Sequence, residues 1–228
     1  MVGKVDEIAE PNPSKDLIEK VSGHYSTILA DPPWQFSNRT GKVAPEHRRL
    51  LRYPTMELKE IMDLPVSRLA AAKSHLYLWV PNALLMEGLR VMAAWGFTYK
   101  TNLVWYKVRK DGGPDGRGVG FYFRNVTELI LFGVRGSMRT LPPGRTRVNL
   151  FSTRKREHSR KPDEIYGIIE ECSPGPYLEL FARFSRAGWY QWGNEDVEEN
   201  SLSGVAKRKA HAEGQLRLFD SPRGYKAS

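Results

Sequence analysis

A short apolar run that stops at an acid and two prolines, ILADPPWQF (28–36), is the stretch of this sequence best suited to chemistry. Proline fixes its own backbone φ angle and has no N–H donor, so Pro32 and Pro33 make a stiff loop with carbonyl acceptors. The Asp31 carboxylate and the Pro32 carbonyl can together accept both hydrogens of an amino group. Trp34 would add a flat apolar face on which a nucleobase stacks.

The exocyclic amine of adenine is a substrate that needs two such acceptors. Its lone pair is delocalised into the ring, so acceptors around the N–H groups are needed to stabilise the charge that develops as it attacks a sulfonium methyl group. No strong base is required, because the proton can leave after transfer. The alternative interpretation is structural: DPPW is a turn that ends a strand, with Trp34 packed in the core. The motif alone favours neither interpretation.

The segments around this motif alternate between strand-like and helix-like patterns. YSTILA (25–30), HLYLWV (75–80) and TELILFGVRG (127–136) are buried apolar runs typical of strands. NALLMEGLRVMAAW (82–95) and KPDEIYGIIEEC (161–172) have the spacing of helices. This alternation predicts an α/β fold, with a mostly parallel sheet covered by helices on both faces. Ligands of such sheets bind beyond the carboxyl ends of the strands, where Asp31 lies.

Composition predicts one globular domain with polar ends. Hydrophobic residues make up 40% of the 228 residues, and we expect a domain over 23–196, a flexible arm over 1–22 and a flexible tail over 197–228. No apolar run is long enough to span a membrane, and the first residues lack the apolar core of a signal peptide, so the expected location is the cytoplasm. The single cysteine, Cys172, excludes an internal disulfide and the usual zinc site, so no metal is expected.

The positive charge predicts a polyanionic partner. The formal net charge is +9 and the sequence pI is about 9.6, and clustered Lys and Arg side chains bind phosphates. Two segments, 37–52 and 135–160, are predicted to contact a nucleic-acid backbone, although a solvated basic surface is the alternative. Their candidate residues are Arg39, Lys42, Arg48, Arg49, Arg52, Arg139, Arg145, Arg147, Arg154 and Arg156.

A series of further segments, in order, makes the sequence similar to a known family. Besides ADPPW, the matching segments are RYPTM (52–56), HLYLWV (75–80), LVWYK (103–107), RNVTELILFGVRG (124–136), SRKPDEIYGIIEECSPGPYLELFAR (159–183) and WGNE (192–195). Over roughly residues 25–195 the chain resembles the DPPW-type adenine-N6 methyltransferases, which include the catalytic subunit of the messenger-RNA N6-adenosine methyltransferase and bacterial and phage DNA adenine methyltransferases. The resemblance implies a Rossmann-like class I methyltransferase fold with permuted motif order, and S-adenosyl-L-methionine as cofactor.

The resemblance also implies roles for individual residues. Asp31, Pro32, Pro33 and Trp34 would form the catalytic loop, and Asp31 would hold both the methionine end of the cofactor and the target amine. The other cofactor-binding residues would be Ser159, Lys161, Phe181, Arg183, Asn194 and Glu195. Tyr53 and Glu128 would lie near the substrate adenine. The chain departs from the family pattern at 184–186, where Phe-Ser-Arg replaces Pro-His-Asn, and at Glu195, where the family has Gln.

DNA is the expected substrate. The sequence has no recognisable RNA-binding module, which favours a DNA adenine-N6 methyltransferase of bacterial or phage type. An RNA adenine-N6 methyltransferase and a catalytically silent nucleic-acid-binding subunit are the alternatives, and the intact DPPW argues against the silent subunit. Because no separate recognition domain is visible, a homodimer is one way to cover the target site.

The polar tail contains a second candidate contact. QLRLF (215–219) resembles the pentapeptide with which bacterial polymerases and repair proteins bind the replicative sliding clamp. In an extended peptide, Leu218 and Phe219 would fill an apolar pocket, with Gln215 in a polar subsite and Leu216 between them. Chance similarity, or packing of the tail on the domain, is the alternative.

Overall fold

Seven strands form one sheet in the part of the chain that the computed structural model describes, which comprises residues 12–35, 55–116, 122–154 and 161–193. In chain order the strands are β1 (Tyr25–Ala30), β2 (Ala70–Val80), β3 (Thr98–Val108), β4 (Thr127–Arg135), β5 (Leu150–Arg154), β6 (Tyr177–Leu180) and β7 (Trp189–Trp192). Their order across the sheet is β5-β3-β4-β2-β1-β6-β7.

Helices and short 3-10 turns connect these strands. The helices are α1 (Pro13–Lys20), α2 (Leu58–Asp63), α3 (Val66–Leu69), α4 (Leu85–Ala94) and α5 (Glu164–Cys172), and the 3-10 turns are Asn82–Leu84 and Pro142–Thr146.

All strands run in one direction except β4. β1 is parallel to β2 and β6, β6 is parallel to β7, and β3 is parallel to β5. β4 lies between β2 and β3 and is antiparallel to both, as expected when consecutive strands pair without a crossover helix. The prediction of a mostly parallel α/β sheet is therefore confirmed, and the sheet has the Rossmann-like methyltransferase arrangement that the resemblance implied.

Helices cover both faces, because alternate side chains of each strand point to opposite sides of the sheet. Ile28 of β1 and Leu78 of β2 are buried in the cluster that also contains residues of α1, α2 and α4. Leu29 of β1 and Tyr77 of β2 are buried in the second cluster, with Ile165 and others of α5. The central strands β1 and β2 are thus apolar on both sides, which explains their continuous hydrophobic runs.

The expectation of a flexible arm over 1–22 is wrong for residues 13–22. Residues Pro13–Lys20 form α1, whose first backbone N–H groups donate to the side chain of Asn12. Leu17 is fully buried against the core, and the Trp192 indole N–H donates to Asp16 at 2.7 Å. This helix therefore anchors the polar N-terminal segment to β7.

The arginine-rich segment 135–160 contains a strand that the sequence patterns did not reveal. β5 pairs only with β3 among the described strands, and its residues alternate between exposed and half-buried. Such an edge strand lacks the apolar run that marks a buried one. Among the described residues, no helix is long and apolar enough to cross a membrane.

Candidate active site

Four charged side chains meet where the parallel strands end, which we call the C-terminal rim of the sheet. Asp31 directly follows β1, and Lys107 lies next to the end of β3. Glu128 lies at the start of β4, which reaches the same rim because that strand is antiparallel. Lys161 comes just before α5. The topology thus collects residues that are up to 130 positions apart, at the rim where ligands of parallel sheets bind.

The Asp31 carboxylate forms an ion pair with Lys161. The Lys161 Nζ lies 2.9 Å from Asp31 Oδ1 and 2.8 Å from Oδ2. About a quarter of each side chain is exposed, so the pair is accessible from solvent without being fully solvated. The predicted roles of these two residues therefore rest on side chains that do lie together.

Glu128 is held by two hydrogen-bond donors and a second ammonium group. Lys107 Nζ lies 2.5 Å from its Oε1, the Trp79 indole N–H donates to its Oε2, and Lys161 Nζ lies 3.6 Å from Oε2. Burial alone would raise the pKa of Glu128, but the two lysines and these hydrogen bonds lower that pKa to about 2. Glu128 is therefore an anion at neutral pH.

Lys161 lies between the two carboxylates and is cationic. Burial alone would lower its pKa, but the charges of Asp31 and Glu128 outweigh this effect and raise the pKa above its ordinary value, while the nearby Arg183 guanidinium opposes the rise. The Lys161 ammonium also lies 4.8 Å from the centroid of the Trp79 ring, an attractive cation–π distance. The four groups therefore alternate in sign, in the order Asp31, Lys161, Glu128, Lys107.

The DPPW turn is fixed by backbone hydrogen bonds. The Trp34 N–H donates to the Pro32 carbonyl at 2.8 Å, and the Met56 N–H donates to the Pro33 carbonyl at 2.9 Å. Pro32 is buried, and its carbonyl keeps a second lone pair. Asp31 is thus the more accessible acceptor of this turn.

The expected stacking role of Trp34 is wrong. Its side chain is 6% exposed and belongs to the core cluster that contains α2 and α4, and its indole N–H donates to the Trp79 carbonyl at 2.9 Å. A ring enclosed in this way has no free face for a base. The structural interpretation of Trp34 is the one that the fold supports, and this residue locks the turn onto β2.

The ends of β6 and β7 form the other side of the rim. Phe181 follows β6 with a φ of 65°, which is rare for a residue with a side chain and frequent near functional sites. Its ring packs edge-on against the Trp192 ring, with the two ring centroids 5.3 Å apart. The Ala182 N–H donates to the Trp192 carbonyl at 2.9 Å, and Arg183, which is half-buried, follows directly.

Gly193 is required by this close approach, since a Cβ at its position would lie 2.0 Å from the Ala182 carbonyl oxygen. We expect Gly193→Ala to lower the free energy of unfolding by about 3 kcal/mol, because backbone must move to admit the methyl group. Denaturant unfolding measures this change. Gly167→Ala is the matched control, since a Cβ there meets nothing within 4 Å and alanine favours a helix, so that it should stabilise the protein by up to about 1 kcal/mol. Equal stability of the two variants would contradict the expectation.

Three arginines that were predicted to contact a nucleic-acid backbone lie away from the site. β4 runs antiparallel and delivers residues 136–149 to the opposite rim, where the Leu141 N–H donates to the Cys172 carbonyl at the end of α5. Arg147 pairs with Glu171 there, and Arg139 and Arg145 lie in the same exposed connection. This part of the predicted nucleic-acid contact therefore lies at the opposite rim from Asp31.

Arg154 is the last residue of β5 and lies at the C-terminal rim, where it pairs in register with Val108 of β3. The remaining predicted site residues lie outside the described part of the chain, and their predicted roles stay predictions. They are Arg39, Lys42, Arg48, Arg49, Arg52, Tyr53, Arg156, Ser159, Asn194, Glu195 and the tail residues 215–219.

The sequence interpretation assigned no role to three residues of the site. Lys107 and Trp79 hold Glu128, and Trp105 packs edge-on against Trp79 with ring centroids 5.7 Å apart. The Lys107 ammonium lies 4.9 Å from the Trp105 ring centroid. The signals that could have identified them were the position of Trp79 near the end of a predicted strand and that of Trp105 and Lys107 in the family segment LVWYK.

Known proteins share this arrangement of segments. The family model described as MT-A70 matches residues 25–195. A type II methyltransferase, M.MunI of a Mycoplasma species, is 28% identical over 217 residues, covering 88% of this chain and 86% of that protein. The human N(6)-adenosine-methyltransferase catalytic subunit METTL3 is 26% identical over 181 residues. A putative N(6)-adenosine-methyltransferase of Medicago truncatula is 29% identical over 191 residues.

The extent of these matches differs. This chain spans most of M.MunI but only 29% of human METTL3 and 28% of the Medicago protein. The family model nevertheless covers about three quarters of the chain, from β1 to just past β7. The chain belongs to the MT-A70 family of methyltransferases.

Proposed function

We propose that this protein transfers a methyl group from S-adenosyl-L-methionine to the N6 amine of adenine in DNA. The observation that carries the proposal is the Asp31 carboxylate, which follows β1 at the C-terminal rim and is paired with Lys161 but a quarter exposed. An anionic acceptor in this position suits an amine that becomes positively charged as it is alkylated.

Asp31 accepts one N–H of the adenine amine in this mechanism. The second acceptor is the Pro32 carbonyl, whose direction is fixed because Trp34 occupies one of its lone pairs. Together they favour a pyramidal nitrogen whose lone pair points at the methyl donor. As the new N–C bond forms and the donor's S–C bond breaks, the carboxylate stabilises the cationic nitrogen. The surplus proton then leaves to Asp31 or to water.

The rim fits the cofactor by the chemistry of its charged groups. S-adenosyl-L-methionine has an α-ammonium and an α-carboxylate, and when bound it supplies a methyl group on a sulfonium sulfur. Asp31 is an acceptor for the ammonium, and Lys161 is a donor for the carboxylate, with both side chains reachable from solvent. Phe181 and Arg183 follow β6 on the neighbouring side, where the family resemblance suggests that the nucleoside part binds.

Lys161 and Glu128 are the charged residues that support Asp31 at the rim. Lys161 keeps the Asp31 carboxylate oriented through contacts to both oxygens. Glu128, fixed by Lys107 and Trp79, is a further acceptor at the same rim, and we assign it to the substrate adenine. Such fixed charges need no reorganisation during the reaction, which is how preorganised sites lower a barrier.

DNA is favoured over RNA by the extent of the sequence matches. The match to a bacterial methyltransferase extends over most of both chains, whereas the adenosine methyltransferases share only a quarter or so of their length with this chain. The net charge of +9 suits the phosphate backbone of either nucleic acid. A base in a duplex cannot reach Asp31, so the target must be flipped out or already unpaired.

Transfer of radiolabelled methyl groups tests the function. Purified protein is incubated with labelled S-adenosyl-L-methionine and either unmethylated genomic DNA or single-stranded RNA, and the labelled base is identified as a nucleoside. We expect N6-methyladenine in DNA, at a recurring sequence when the positions are mapped. Label in RNA alone would support the RNA alternative, and label in neither would favour a silent subunit.

We also propose that the tail segment QLRLF binds a replicative sliding clamp, on the resemblance stated above. Changing Leu218 and Phe219 to alanine should remove at least about nine tenths of clamp binding, because the apolar anchors of an extended peptide supply most of its affinity. A pulldown with purified clamp measures the loss. Leu202→Ala, in the same tail but outside the pentapeptide, is the control, and unchanged binding of the double variant would refute the proposal.

A further inference from the structure

Two adjacent aromatic side chains are almost completely exposed on the C-terminal rim. Tyr122 is 95% exposed and Phe123 is 86% exposed, the highest values among the large hydrophobic side chains of the described residues. Exposed aromatic rings of this kind are costly to keep in water and usually mark a binding surface. They lie in the connection between β3 and β4, which neither the fold nor the proposed chemistry explains.

This aromatic pair lies in the connection that leaves the sheet at the rim that carries Glu128. Thr127 begins β4, and the Lys107 N–H donates to the Val126 carbonyl at 2.8 Å, so the connection leaves the sheet at the same rim as Glu128. Tyr122 precedes Glu128 by six residues, and an extended chain covers at most about 3.5 Å per residue. The backbone of Tyr122 therefore lies within roughly 20 Å of that of Glu128, inside the length of one turn of a DNA duplex, about 34 Å.

Exposed cations lie in the same connection and at the end of β5, the strand beside β3. Arg124 follows it directly, and Lys110 lies near the start of the same connection, both with exposed side chains. Arg154 ends β5 next to Val108 at this rim. Cations placed around exposed rings are the combination that binds unpaired nucleic acid, in which bases stack on the rings and phosphates contact the cations. These positive charges favour a nucleic acid over an apolar protein surface as the partner.

We propose that Tyr122 and Phe123 stack on unpaired nucleobases next to the target adenine, and so position the strand from which the adenine is taken. The inference rests on the proposed function, since it requires DNA at this rim. Removal of a base from a duplex leaves its neighbours unstacked, and aromatic faces compensate for that loss. Both are positioning residues that act on the bases flanking the reaction.

The test compares the double variant Y122A/F123A with wild type. We expect its affinity for fluorescein-labelled single-stranded DNA of mixed sequence to fall about tenfold or more, the size of a lost base–aromatic stack. The slope of log affinity against log salt should not change, because no cation is removed. By contrast, Arg124→Gln should lower that slope by about one. The ring-preserving variant Y122F/F123Y should bind as wild type does.

Two controls make the outcome specific. Tyr99→Ala removes another exposed aromatic side chain at the start of β3, on the opposite rim, and should leave DNA affinity unchanged. Because both rings of the pair are exposed, the thermal midpoint of Y122A/F123A should match that of wild type. Affinity for S-adenosyl-L-methionine should also be unchanged, whereas the rate of transfer to DNA should fall with the affinity.

The two proposals fail in different ways. Absence of methyl transfer by the wild-type protein would refute the proposed function, whereas unaltered single-stranded DNA binding by Y122A/F123A would refute only the stacking role. If the double variant changed the sedimentation of the protein but bound DNA like wild type, the rings would be a contact between copies of this chain, and the inference would be overturned.

Discussion

Replacing Asp31 by alanine should abolish methyl transfer and leave the fold intact. The variant loses the anionic acceptor for the amine and the group that pairs with Lys161. Removal of one preorganised electrostatic group typically slows an enzyme by about 100- to 1,000-fold, and the dual role of Asp31 places the expected loss at or above the upper value. Turnover of labelled S-adenosyl-L-methionine on DNA, at saturating cofactor, measures the effect.

Asp31→Asn separates charge from shape, because the amide keeps one oxygen acceptor but cannot stabilise a cation as a carboxylate does. It should be nearly as slow as the alanine variant. Asp63→Ala is the matched control, since Asp63 also pairs with a lysine, Lys59, but on the surface of α2. It should keep wild-type turnover. If Asp31→Asn were as active as wild type, the charge would have no role in transfer and the proposed mechanism would be wrong.

The sequence predicted the position of Asp31 but not its surroundings. A buried apolar run that ends at an acid places that acid at a strand end, and in a parallel sheet strand ends share one rim. The partner at Lys161 came from the family resemblance, because nothing local links residues 130 positions apart. The roles of Trp79 and Lys107 depend on the register of β4 against its two neighbours, which a hydrophobic pattern does not specify.

The errors have physical causes as well. Trp34 suits a stacking face and a core position equally, and only the packing of α2 and β2 around it decides. The short helix α1 has a single fully buried residue, Leu17, so its sequence looks like a polar arm. A cluster of arginines in sequence does not show that antiparallel β4 carries Arg139 and Arg145 to the far rim. Charge density along a chain is therefore a weaker guide to a surface than strand direction.

Replacing Lys161 by methionine should have the second largest effect, and it should depend on pH. Lys161 Nζ lies within 3.6 Å of oxygens from both Asp31 and Glu128, so it is the shared counter-ion of two carboxylates that are close neighbours. Without it, Glu128 loses one of the two ammonium groups that lower its pKa, so the burial of this carboxylate raises that pKa. We expect kcat/KM at neutral pH to fall about 100-fold, the lower end of the loss for a preorganised charge.

The direction of the pH effect follows from the native pKa of Glu128. That value of about 2 keeps the carboxylate ionised over the whole range in which the protein is assayed, so wild-type kcat/KM should show no decline from this group as the pH falls toward 5. In Lys161→Met the Glu128 carboxylate takes up its proton at higher pH. The decline of kcat/KM on the acid side should therefore begin at higher pH in the variant.

Three further variants distinguish charge from packing. Lys161→Arg keeps the cation, so its kcat/KM should decline at the same acid pH as that of the wild type, even if its different shape lowers kcat. Lys107→Met removes the outer cation, which pairs with Glu128 and not with Asp31 among the described ion pairs, and should shift the acid-side decline of kcat/KM less than Lys161→Met does. Lys59→Met, on the surface, should shift nothing. If kcat/KM of Lys161→Met declined at the same acid pH as in the wild type, Glu128 would keep its charge independently of this ammonium, and the role of Lys161 in that ionisation would have to be abandoned.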